Sequence, residues 1–89
     1  MKPLLFTYHA PVRMEQRDIP PEWIERVVRQ PLWTEPDPLD PEVERRFLNI
    51  PEHGDRVLRV AVVETETHIR VISTFFDRRA TRRHARHDL

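Results

Sequence analysis

Proline sets the strongest limit on how this chain folds. Nine prolines stand against one glycine, and all nine fall at or before Pro51. Proline fixes φ and removes a backbone donor, so regular elements before that point must be short and must start or stop at these positions. Pro20-Pro21 opens a helix with Pro21 near N1 and Glu22 in the first turn, where the helix dipole favours an anion. Its apolar residues Trp23, Ile24, Val27 and Val28 follow helical spacing, and Pro31 closes it. The run Pro36-Asp37-Pro38-Leu39-Asp40-Pro41 can only be a stiff loop.

Beyond that loop the period changes. Val43–Ile50, Val57–Glu64 and His68–Phe76 are rich in β-branched and aromatic residues, as strands are. Pro51–Asp55 connects the first two, with Gly54 supplying a positive φ, and Glu64–Thr67 is a second polar turn. Leu32–Glu35 is a further candidate strand, and Leu4-Leu5-Phe6 a short apolar lead-in. Thr7 is a reasonable N-cap for an earlier helix that carries Pro11 in its first turn and ends near Asp18. The expected architecture is α+β, with two N-terminal helices packed on one face of a three- to four-stranded antiparallel meander.

Charge divides the chain in two. Residues 1–77 hold ten Lys/Arg and fourteen Asp/Glu, whereas residues 78–89 hold five Arg and a single acid, Asp88. The expected organisation is one compact domain over 1–77 and a mobile basic tail over 78–89. That tail is either a solvated terminus or an arm for RNA, DNA or an acidic protein. The acidic body favours a protein partner, or RNA contact through a local patch. Without cysteine the chain has neither disulfides nor thiolate metal sites, and neither a metal nor a cofactor is expected. No apolar run approaches the length of a membrane span, so the expected location is cytoplasmic.

His9, Arg13 and Arg17 stand four residues apart, which on a helix is one stripe. Two readings fit: a phosphate-handling surface, or arginine stems packed over the core and paired with acids such as Glu44 or Asp77. In the last strand, alternation groups Arg70, Ile72, Thr74 and Phe76 on one face and Ile69, Val71, Ser73 and Phe75 on the other. Arg45 and Arg46 point to opposite faces of theirs.

The run His9-Ala10-x-x-Arg13-Met14-x-x-Arg17-x-Ile19-Pro20 resembles the opening of a small prokaryotic family known only as a domain of unknown function. Val71-Ile72-Ser73-Thr74-Phe75 is similar to that family's last strand, and Asp18 stands where glycine is usual. The family is similar in outline to the barnase–colicin–RelE group of small ribonucleases, including RelE-like and BrnT-like toxins. The resemblance implies a helix-plus-antiparallel-sheet fold and metal-independent cleavage of RNA, with a small antitoxin-like protein as partner. His9 would then be base or acid, and Arg13 and Arg17 would stabilise phosphate charge. Arg45 or Arg46, Arg70 and Thr74 would complete the site, and Arg78, Arg79, Arg82 and Arg83 would add RNA contacts. The alternative is a non-catalytic interaction module whose stripe is structural and whose Arg-rich segment binds an acidic or nucleic-acid partner.

Overall fold

The computed structural model describes residues 1–6 and 18–87. Five strands form one mixed sheet in the spatial order β1-β5-β4-β3-β2. They are β1 (Leu4–Phe6), β2 (Trp33–Pro36), β3 (Glu44–Ile50), β4 (Arg56–Glu64) and β5 (Ile69–Phe76). β1 lies parallel to β5, and every other pairing is antiparallel. Helix α1 (Pro21–Arg29) precedes β2, and helix α2 (Arg78–His87) follows β5.

The expected pair of N-terminal helices on an antiparallel meander is therefore corrected. Leu4–Phe6 joins the sheet as a parallel strand, anchored by Ile69 N donating to Pro3 O at 3.0 Å. It covers the outer edge of β5, which would otherwise present unpaired backbone groups. The two helices described lie on opposite faces. Ile24, Val27 and Val28 of α1 pack on Ile50, Leu58, Val60, Val62 and Val71, while Ala80 of α2 packs with Phe47, Val57 and Trp33. Neighbours Val57 and Leu58 thus serve different helices, as strand alternation requires. The helix expected from Thr7 to near Asp18 falls on residues 7–17, outside the described residues.

α1 forms where the prolines permit it, with Pro21 at its start and Glu22 in its first turn. The basic stretch expected as a tail is helical over Arg78–His87. Asp77 caps it: Oδ1 accepts from the backbone N of Ala80 at 2.9 Å. Thr81 Oγ1 accepts from Val57 N at 2.9 Å, and Asp77 N donates to Val57 O at 2.9 Å, so the helix start is tied to β4. Ala80, Thr81 and His84 share the inner face, and the arginines need only one stripe of small or half-polar neighbours to be carried on a packed helix.

β5 contains a bulge. Ala61 pairs with Ser73 but Val62 pairs with Val71, which leaves Ile72 as the extra residue. Before and after it the faces exchange. Thr74 and Phe76 share the α1 face with Val71 and Ile69, while Arg70 turns to the opposite face with Ser73 and Phe75. The simple alternation that grouped Arg70 with Thr74 is overturned by this one residue.

Candidate functional site

A cleft of about 420 Å³ opens between the start of α1, the β3–β4 turn and the start of α2. Ile19, Pro20, Trp23 and Phe76 supply apolar walls, His53, Arg56 and Arg78 supply cations or proton-carrying nitrogens, and Asp18 supplies a carboxylate. A volume of this order suits a small organic ligand or one unit of a polymer.

Local folding explains each position. Trp23 stands on the first turn of α1, its N donating to Pro20 O at 3.0 Å. After β3, Pro51–His53 forms one 3₁₀ turn, followed by Gly54 at φ 62° and Asp55 at φ 60°. Two consecutive left-handed residues reverse the chain sharply; glycine adopts this conformation freely and aspartate tolerates it. Asn49 Nδ2 donates to Asp55 Oδ1 at 2.6 Å and holds the turn. As a result His53 and Arg56 project into the same cleft.

The aromatic rings are in contact. His53 stacks on Phe76 with centroids 4.4 Å apart, and Trp23 meets His53 at 5.8 Å and the edge of Phe76 at 6.3 Å. The Arg56 guanidinium lies 5.3 Å over the Phe76 ring, and its Nη1 is 3.2 Å from His53 Nε2. A guanidinium only donates, so this contact uses the lone pair of Nε2.

Glu52, next to His53 in the chain, is engaged elsewhere. Arg26 makes a bidentate pair with Glu52 at 2.9 and 2.7 Å. The hydrogen bonds from Arg26 hold the Glu52 carboxyl down at about 2, so Glu52 stays ionised on its own arginine. Among the described residues, Arg56, Arg70, Arg78, Arg79, Arg82 and Arg86 have no carboxylate partner. Arg78, Arg82 and Arg86 stand four residues apart on α2, all exposed, and the stripe begins at the cleft.

The residues singled out from sequence are dispersed. His9, Arg13 and Arg17 lie outside the described residues. Arg46 is on the α1 face, where Nε donates to Glu44 at 2.6 Å, Nη2 to Glu64 at 2.6 Å and Nη1 to the carbonyl of Val28 at 2.9 Å. Arg45 is on the other face, paired with Asp37 at 3.3 Å. Arg70 is exposed on that same face. Arg83 leans over Trp33 at 5.9 Å and reaches Glu35 at 3.4 Å, whereas Arg79 and Arg82 are exposed on α2. Thr74 is only 2% exposed, and its Oγ1 has no hydrogen-bond partner among the described residues. Exchange of Thr74 for valine, nearly the same shape without the hydroxyl, is expected to stabilise the fold by about 1 kcal/mol. Melting followed by circular dichroism should show a rise of roughly 4–8 °C. A fall would mean that the hydroxyl is satisfied and structural.

Trp23, His53, Arg56 and Asp18 were not legible as a site. Trp23 reads as helix core and His53 as a turn residue, and Arg56 falls between the expected turn and the strand expected from Val57. The spacing of His53 and Arg56 around Gly54 is the one signal that could have joined them. Among the described residues, no group of three or more His, Asp or Glu side chains gathers as a metal site, and no helix is long and apolar enough to cross a membrane.

Fold and cleft together define a small α+β domain with a cationic, aromatic-walled cleft at one end of a mixed sheet. The chain belongs to the family described as Domain of unknown function (DUF4258), whose model matches residues 6–76. The match stops at Phe76, so Arg78 and the arginine stripe of α2 lie beyond it. No curated protein and no solved structure matches the chain.

Proposed function

We propose that this domain binds single-stranded RNA, with phosphates along Arg78, Arg82 and Arg86 and an unstacked base in the cleft. The observation that carries the reading is the continuity of the two surfaces: a row of exposed, acid-free guanidiniums runs out of a cleft walled by Trp23, His53 and Phe76. Single strands are held by this combination, a cationic track for the backbone and aromatic rings for the bases. Duplex would engage the arginines but not the cleft. The resemblance of the His9–Pro20 run to a family akin to RelE-like ribonucleases favours RNA over DNA. Of the two functions expected from sequence, binding through the Arg-rich segment has the stronger geometric support. Cleavage would need a proton carrier at the bound strand, and His53 is the cleft group with that chemistry.

The test is fluorescence anisotropy with an end-labelled ten-nucleotide RNA at several salt concentrations. Three phosphate contacts should make log K fall with log salt with a slope of about −2. No binding at low salt, or a slope near zero, would contradict the reading. Gel analysis of the same mixtures tests cleavage: products formed by the intact protein and lost in His53→Ala would extend binding to hydrolysis, and intact RNA throughout would leave binding alone.

A further inference from the structure

Asp18 is out of place on a surface meant for phosphates. It is exposed on the rim of the cleft that Arg56 and Arg78 also line, and makes no hydrogen bond to another described residue. A carboxylate there repels a backbone phosphate but can accept hydrogen bonds from a base. We infer that the cleft selects guanine, an inference that rests on the RNA-binding reading.

The chemistry of the four base edges separates them. An ionised carboxylate is acceptor-only and offers two oxygens side by side. Guanine presents two adjacent donors, N1–H and the N2 amine. Adenine and cytosine each present one amine beside an acceptor nitrogen, and uracil presents one N–H between two carbonyl oxygens. Each of those acceptors would face a carboxylate oxygen with like partial charge. Further round the guanine edge, O6 and N7 are acceptors suited to an arginine fork, and Arg56 lies in the same cleft. The aromatic wall of Trp23 and His53 takes the flat face of any base, so the wall supplies affinity and Asp18 supplies the choice.

The experiment compares ten-nucleotide oligouridines that carry one central guanine, adenine or cytosine with the all-uridine strand, each against the full chain. The guanine strand should bind about tenfold more tightly than the other three, the size of discrimination that a bidentate pair supplies. In Asp18→Asn the preference for the guanine strand over the other three should shrink to within about twofold. Equal binding of all four strands overturns the inference and leaves the RNA reading standing. Preference for adenine or cytosine overturns it as well, as does a guanine preference that survives in Asp18→Asn. Failure of every strand to bind overturns the RNA reading and the inference with it.

Discussion

Reversal of charge at Arg78 and Arg82 is expected to abolish RNA binding, with affinity at low salt falling at least about a hundredfold. Each substitution to glutamate removes an attractive contact to the strand and adds a repulsive one, and like charges across an interface cost several kcal/mol. The fold should not suffer. Both side chains are exposed and neither has a carboxylate partner among the described residues, so stability should stay within about 0.5 kcal/mol. Arg78 opens α2, where the helix dipole disfavours a cation, and glutamate there is expected to be neutral or mildly stabilising. Binding lost with an unchanged melting temperature is the predicted outcome of the double variant. Retained binding would show that the strand lies elsewhere.

Arg46 should behave in the opposite way. Its side chain is 12% exposed and bridges three elements, bonding Glu44 of β3, Glu64 of β4 and the Val28 carbonyl of α1. Alanine leaves Glu44 and the Val28 carbonyl without this donor and Glu64 with Lys2 alone, at a cost of about 2 kcal/mol, or roughly 10 °C of melting temperature for a domain of this size. RNA affinity of the folded variant should be unchanged, since Arg46 is remote from the cleft lining. The pH dependence follows from Glu64. Hydrogen bonds from Lys2 and then Arg46 bring its carboxyl from the ordinary 4.5 down to about 2. A carboxyl depressed in the folded state stabilises fully above its unfolded value and loses that contribution as pH falls through the folded one. Lys2 holds Glu64 in both proteins, so the gap between wild type and Arg46→Ala should be flat above about pH 5 and narrow as pH falls from there towards 2. Thermal melts across that range check it, and a gap that widens in acid would contradict the assignment.

These three arginines show what is and is not legible before the fold. α1 is legible because Pro21 fixes its start and Ile24, Val27 and Val28 keep helical spacing. β3, β4 and β5 are legible because alternation and β-branching agree, and Gly54 falls in the turn it was expected to make. Three residues are too few to announce β1, whose place depends on the edge of β5. The bulge at Ile72 leaves no trace in composition, yet it decides that Arg70 and Thr74 face opposite ways. α2 was missed because its arginines masked a stripe of Ala80, Thr81 and His84 and a cap at Asp77, both present in the sequence.

The same blind spot explains the site. The i, i+4 spacing of His9, Arg13 and Arg17 recurs at Arg78, Arg82 and Arg86, in a segment whose composition alone reads as a solvated tail. The cleft itself draws on the entry to α1, the β3–β4 turn, the end of β5 and the start of α2. Only the sheet register, with Leu58 opposite Phe76 and Ile50 opposite Arg56, brings these four stretches together.

The most direct test of RNA binding at this end of the sheet is a residue-by-residue NMR titration of the ¹⁵N-labelled chain with a ten-nucleotide single-stranded RNA. The indole N–H of Trp23, the amides of His53 to Arg56 and those of the first two turns of α2 should shift together, saturating at one equivalent. The indole of Trp33, stacked on Phe47 at 4.8 Å away from the cleft, should move little. Shifts confined to the α1-side network of Arg46 and Glu64, or no shifts at low salt, would contradict the account.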